Sequence, residues 1–303
     1  MSSSAVEVDE AADLVCQLDC VQGMVDALSS VRWKRHQSSP GQDAVVELSE
    51  HGIVLIVEET GCLQAKVYLR RELFVTYEYS AEGRPRFGLS LGLFVDCLNT
   101  FSSPGHAPVI EIRYPDPDMQ LILKSVDSSN VCIYAEIRTR IPDTISWDYN
   151  FGPARNAPAS FTIKAISLYL HTAPTYLTAV LKEAIDDLEW PSSTIQILLQ
   201  PEPPSVVFKG EGHGDLQVPN NTYKYKFLRA TTSNIAGSVL KDNRGSKLTF
   251  GRGGMLKIQH LVSVVKPGIQ HPYTDSSGLQ QPSRIAYLEF YVKPEEDEGS
   301  VDD

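Results

Sequence analysis

Three kinds of stretch in this chain carry residue types that could do chemistry. The first is "GLSLG" (88–92), which fits G-x-S-x-G, the elbow that raises a nucleophilic serine between a strand and a helix. An elbow also needs a histidine base, an orienting acid and oxyanion donors. His106 and His171 follow, but no H-G-G-G-type donor segment precedes Ser90, and the order of elements is wrong for that fold. The simpler reading makes Ser90 the N-cap of a helix. The second stretch, "GRGG" (251–254), looks like a phosphate loop, yet it lies between the strand-like runs "SKLTF" and "MLKIQHLV". There a hairpin turn requires glycine for its positive φ. The third kind is acidic: Glu58-Glu59, Asp116 with Asp118, and Asp186-Asp187. Two-metal nuclease chemistry needs acids converging from several elements, whereas Glu58-Glu59 ends a strand and Asp116-Pro-Asp118 is ordinary turn chemistry. The seven histidines show no ligand spacing. Cys16, Cys20, Cys62, Cys97 and Cys132 are odd in number and widely spaced, with no C-x-x-C. They read as reduced thiols, and the closest pair, Cys16 and Cys20, as buried ones. No metal and no cofactor is expected.

The elements that would position these residues are mostly strands. "HGIVLIVEE", "LQAKVYLRR", "ELFVTYEYS", "PVIEIRY", "VCIYAEIRTR", "STIQILLQ", "PSVVFKG", "MLKIQHLVSV" and "IAYLEFYV" are β-branched or aromatic runs bounded by turn residues. In the last, Ala286, Leu288, Phe290 and Val292 face one way, and Tyr287, Glu289 and Tyr291 the other. Four segments have helical period. Val21, Met24, Val25 and Leu28 follow Asp19 as cap. Phe94, Cys97, Leu98 and Phe101 form the second. The third runs from Pro174 through Leu177, Leu181, Ala184 and Leu188, and the fourth from Ser233 through Ile235, Val239 and Leu240. Helices one and two start about seventy residues apart, three and four a little closer. So few helices cannot cover both faces of a parallel sheet. The expected class is α+β: two similar domains, each of antiparallel sheets with two helices packed on one face.

The chain of 303 residues has length for two such domains. We expect an acidic disordered N-terminus at 1–13, a first domain at 14–140, a connecting linker at 141–159, a second domain at 160–294 and an acidic tail at 295–303. The net charge of −11 sits at the two ends, and the body between them is near neutral, at −1. An acidic total therefore does not exclude nucleic acid as a partner. No apolar run approaches the ~20 residues that span a bilayer, and the first residues do not read as a secretory signal.

The order of these features resembles the PCNA sliding-clamp fold, and several stretches resemble one branch of it. "LFVDCLNTF", "NFGPARNAPASFTIKAISLYL", "GRGGMLKIQHLV" and "RIAYLEFYVKPEEDE" are similar to the Rad-one-type subunit of the DNA-damage checkpoint clamp, over roughly residues 14–298. The resemblance implies a nuclear, non-enzymatic subunit of a heterotrimeric ring. The ring encircles double-stranded DNA without sequence preference, is placed there by an ATP-dependent loader, and tethers checkpoint-kinase activators and repair enzymes. Helices would line the hole and strands would close the outer face. Arg32, Lys34, Arg35, Lys182, Lys241 and Arg244 would then face DNA, as a modestly positive surface; as ordinary surface charges they would do nothing.

Subunits would join edge to edge. Val131, Ile133, Ala135 and Ile137 lie in the first-domain edge, and Asp215, Leu216 and Val218 in the second. Trp147, Tyr149 and Phe151 in the linker would form a docking strip for client peptides, or simply pin the linker to the sheet. Domain two has one strand-like run fewer before its last helix, with only "GDLQV" and "YKYKFLRA" where domain one has three. The rival functions are a 3′–5′ exonuclease using acids such as Glu58 or Asp116, and a homotrimeric replicative clamp.

Overall fold

The computed structural model describes residues 12–33, 41–102, 109–116, 118–126, 133–142, 147–149, 159–163, 177–188, 194–202, 204–210, 222–235, 246–264 and 284–295. The first half of the chain runs β1 (Leu14–Leu18), α1 (Val21–Ser29), β2 (Asp43–Ser49), β3 (Gly52–Glu59), β4 (Leu63–Arg70), β5 (Thr76–Tyr79), β6 (Arg86–Ser90), α2 (Leu91–Phe101), β7 (Val109–Tyr114), β8 (Gln120–Val126) and β9 (Tyr134–Arg138). The second half runs β10 (Ala159–Ile163), α3 (Leu177–Asp186), β11 (Thr194–Pro201), β12 (Pro204–Gly210), β13 (Thr222–Lys224), α4 (Tyr225–Ala230), β14 (Ser246–Phe250), β15 (Leu256–Ser263) and β16 (Ile285–Val292).

The strands form three antiparallel sheets, ordered β5-β1-β7-β8-β9, β10-β14-β15-β16-β4-β3-β2-β6 and β12-β11-β13. The largest sheet crosses the expected boundary between domains. β16 pairs with β15 on one side and with β4 of the first half on the other, Tyr291 opposite Gln64 and Glu289 opposite Lys66. The alternation read in β16 holds: Ala286, Leu288, Phe290 and Val292 are fully buried. Tyr291, expected to face solvent, is buried as well.

Helices α1 and α2 form as their periodicity predicts. Val21, Met24, Val25 and Leu28 of α1 are buried, as are Leu91, Phe94, Val95, Leu98 and Phe101 of α2. The Ser90 hydroxyl accepts from the Leu93 amide and caps α2. Asp19 is not the cap of α1. Cys20 holds that position without a side-chain bond, and the Asp19 carboxylate instead takes the guanidinium of Arg284. An ionic partner outcompetes a backbone amide. Helix α1 packs so closely on the second half that a Cβ on Gly23 would lie 2.8 Å from the Cα of Val264.

A helix that the sequence did not announce, α4, precedes the segment expected to be helical from Ser233. "YKYKFLRA" is three residues of strand followed by α4. Tyr223, Tyr225 and Phe227 alternate like a strand, but from Tyr225 the chain is helical, and Tyr225, Phe227 and Leu228 are the residues that α4 buries. Ser233 and Ile235 belong to the turn after α4. Val239 and Leu240 lie outside the described residues, as does the expected strand "GDLQV" in 211–221. The "ELFVTYEYS" run is also divided, into a 3-10 turn (Arg71–Leu73) and β5.

His260 joins the end of α4 to the sheet. The ring is fully buried, 3.0 Å from the Thr231 carbonyl through Nε2 and 2.8 Å from the Ser246 hydroxyl through Nδ1. A carbonyl can only accept, so Nε2 carries the proton and Nδ1 accepts from Ser246. Burial pushes the His260 pKa down to about 4.

Candidate functional surfaces

The elements place the expected DNA-facing bases beside acids. Arg32, just past α1, reaches Asp96 of α2 at 2.9 Å. Its carbonyl accepts from the Asn234 side chain at 2.6 Å, which ties the two halves together near their helices. Lys182 on α3 pairs with Asp186 one turn on, and Asp186 also faces Arg229 of α4 at 3.7 Å. The two expected bases that the structure describes, Arg32 and Lys182, are therefore both matched by acids. Lys34, Arg35, Lys241 and Arg244 lie outside the described residues. Lys226 and Arg229 are bases that the sequence reading missed, because their segment reads as strand. The Lys226 ammonium sits 4.7 Å from the Phe227 ring.

At the expected subunit edge, β9 ends the five-stranded sheet and pairs with β8 alone among the described strands. Ile137 is fully buried, and Ile133 and Ala135 pack partly buried against the core. These three side chains point inward, so what they leave for a neighbour is backbone. The amide of Ser125 donates to the Ile133 carbonyl. Ladder alternation then turns the backbone groups of Tyr134, Glu136 and Arg138 to the open side. The edge is short, because at Arg140 the chain closes onto Gly88 of β6 through two backbone bonds. Met119, Tyr134 and Ile141 are exposed apolar side chains flanking it. Val131 lies outside the described residues, as do Asp215, Leu216 and Val218 of the second expected edge. β12 is an end strand of its three-stranded sheet.

The linker leaves by Arg140, which pairs with Asp43 and packs over Gly88. It meets the seam between the halves at 147–149. The Trp147 carbonyl accepts from Gln64 at 2.9 Å, and its ring lies 4.8 Å from the Lys293 ammonium. Asp148 pairs with Lys66 at 2.9 Å, and the Tyr149 hydroxyl donates to the Arg252 carbonyl at 2.7 Å. Both aromatics therefore pin the linker; Phe151 lies outside the described residues. Beside them the Glu289 carboxylate collects the hydroxyls of Tyr68 and Tyr291, the Gln259 amide at 2.6 Å and the Lys257 ammonium at 3.7 Å. Burial first, and then the Glu289 charge, push both tyrosines' pKa values up, so they remain donors.

The stretches that could do chemistry have structural roles here. Ser90 is a cap, and "GRGG" is the turn between β14 and β15, with Gly253 at φ 66°. Asp116 organises its own turn by accepting from the Asp118 amide at 3.1 Å. Glu58 and Glu59 end β3. No cluster of three metal-ligating side chains occurs among the described residues. Burial raises the pKa values of Cys16 and Cys20, which keeps them as thiols.

Comparison with known proteins gives three findings. A family model described as repair protein Rad1/Rec1/Rad17 matches residues 13–234. The human protein named Cell cycle checkpoint protein RAD1 is 22% identical, covering 95% of this chain and 94% of its own length; the mouse protein of that name is 21% identical, covering 94% and 93%. Among solved structures, a PCNA2–PCNA3 complex from Sulfolobus tokodaii superposes with a TM-score of 0.56 at 13% identity, covering 92% of this chain and 98% of its own. Proliferating cellular nuclear antigen from Entamoeba histolytica gives 0.58 at 10%, covering 94% and 100%. The fold is PCNA-like.

Proposed function

The chain belongs to the Rad1/Rec1/Rad17 repair-protein family, and on that premise we propose that it is a non-catalytic subunit of the DNA-damage checkpoint sliding clamp. It joins two other clamp subunits in a ring around double-stranded DNA and acts in the nucleus. An ATP-dependent loader opens the ring, and checkpoint-kinase activators and repair enzymes dock on its outer face. The observation that carries the reading is the edge of β9, where the backbone of Tyr134, Glu136 and Arg138 faces no partner strand among the described residues, beside exposed apolar side chains. An edge of this kind can be covered by a strand from another chain. The bases beside the helices supply sequence-independent contact, and encirclement supplies retention.

The test is co-expression with the two partner subunits and native mass measurement. One copy of each subunit is expected. A homotrimer of this chain would establish the replicative-clamp alternative, and a persistent monomer would overturn the ring itself. Metal-dependent DNA degradation that vanishes when Glu58 or Asp116 is changed to Ala would overturn the non-catalytic assignment.

A further inference from the structure

The residues that follow β16 are anchored at two points. The Lys293 amide donates to the Cys62 carbonyl at 2.9 Å, and the Glu295 amide to the Thr222 carbonyl at 2.7 Å. The second bond sets the Glu295 carboxylate 3.5 Å from the Lys224 ammonium. Glu295 is the first acid of a run: residues 296–303 add Glu296, Asp297, Glu298, Asp302 and Asp303, with no Lys or Arg. An acidic segment is thus delivered to the stretch that opens α4, and that stretch is basic. Lys224, Lys226 and Arg229 are all exposed. Arg229 faces Asp186 at 3.7 Å. The Lys226 ammonium lies over the Phe227 ring and has no acid partner among the described residues. Eight extended residues reach about 26 Å, and Lys226 is two positions from the lysine that Glu295 already meets.

We propose that residues 296–303 fold back over the start of α4 and extend the Glu295–Lys224 contact to Lys226, occupying cations that would otherwise meet DNA phosphates. The inference rests on the DNA-encircling reading above and adds an intramolecular competitor to it. One exposed ion pair is weak, but a tethered run of acids acts at high effective concentration. A duplex met in solution loses that competition. A duplex held inside a ring stays beside α4 long enough to displace the tail.

The experiment compares the full chain with a variant carrying Glu296→Gln, Asp297→Asn, Glu298→Gln, Asp302→Asn and Asp303→Asn. Binding of a short DNA duplex is followed by fluorescence anisotropy across a salt series. Where the tail already neutralises the lysines, no counterions remain there to be released. The neutralised variant is expected to bind about tenfold tighter at low salt, with log K falling against log salt more steeply by about two. Adding Lys224→Gln and Lys226→Gln is expected to erase that gain. A gain that survives the lysine changes would reduce the tail to long-range repulsion, and no gain would remove the competition; either result overturns the proposal. Carbodiimide crosslinking without DNA is expected to join tail carboxylates to Lys226 within one chain. Absent links, or links between two copies in an isotope-mixed sample, would overturn it as well. Ring assembly of the same variants, measured by native mass, reports on the clamp reading separately: assembly without any tail effect removes only this inference.

Discussion

His260 shows how one side chain links chemistry to stability. In the fold its pKa is held near 4, below the ordinary ~6.5. The buried ring must stay neutral to accept from Ser246 while donating to Thr231. The folded state therefore binds its proton less readily than the unfolded chain does. The stabilisation is complete above about pH 6.5 and fades as pH falls through the folded value, for a total of roughly 3 kcal/mol. Urea midpoints measured from pH 7 to pH 4 should fall in the natural chain, and less steeply in His260→Gln; parallel curves would refute the assignment. Other residue-level features differ in how far they can be read from letters. Ser90 as a cap follows from type and position alone. Arg32 is legible as a base, but its neutralising Asp96 lies sixty-four positions away, and only the packing of α1 on α2 brings the two together.

Elements were legible where one period dominates. In α1 the i, i+3, i+4, i+7 spacing and the burial agree. "YKYKFLRA" carries two periods, and tertiary packing chose the helical one after Tyr225. Spacing also leaves open which side of a strand faces a neighbour, so Ile133, Ala135 and Ile137 were found on the inward side of β9. This makes a direct test of the edge possible. Glu136→Pro removes an amide that β8 does not use, a change edge strands tolerate. It should leave thermal stability nearly unaltered while abolishing co-elution with partner subunits; undiminished assembly would place the interface elsewhere. At the opposite extreme of tolerance stands Gly23, where an added Cβ meets the backbone of Val264. Gly23→Ala should cost about 1–3 kcal/mol in urea unfolding, and a neutral result would show that α1 can move off β15.

For the whole molecule, charge and topology decide what the chain can do alone. Arg32, Lys182 and Arg229 have acids beside them, so an isolated chain should bind short linear duplex weakly and lose it between low and physiological salt. Tight, salt-resistant binding by the monomer, measured by anisotropy, would contradict retention by encirclement. The resemblance of scattered motifs led to the fold, because their order along the chain is more specific than any one of them. The seam was not legible, since no local pattern announces that β16 will pair with β4.

That pairing also sets a timetable. Residues 63–68 must wait for residues 287–292 before their ladder is complete. Until then β4 presents a bare rung of amides and carbonyls beside apolar Leu63, Ala65 and Val67, while more than two hundred residues are still being made. Long-range closure of this kind is slow, and an uncovered edge invites pairing between unfinished chains. The newly made protein is therefore at its most vulnerable during synthesis, when a chaperone that shields strand edges would raise its yield more than one acting on the finished fold.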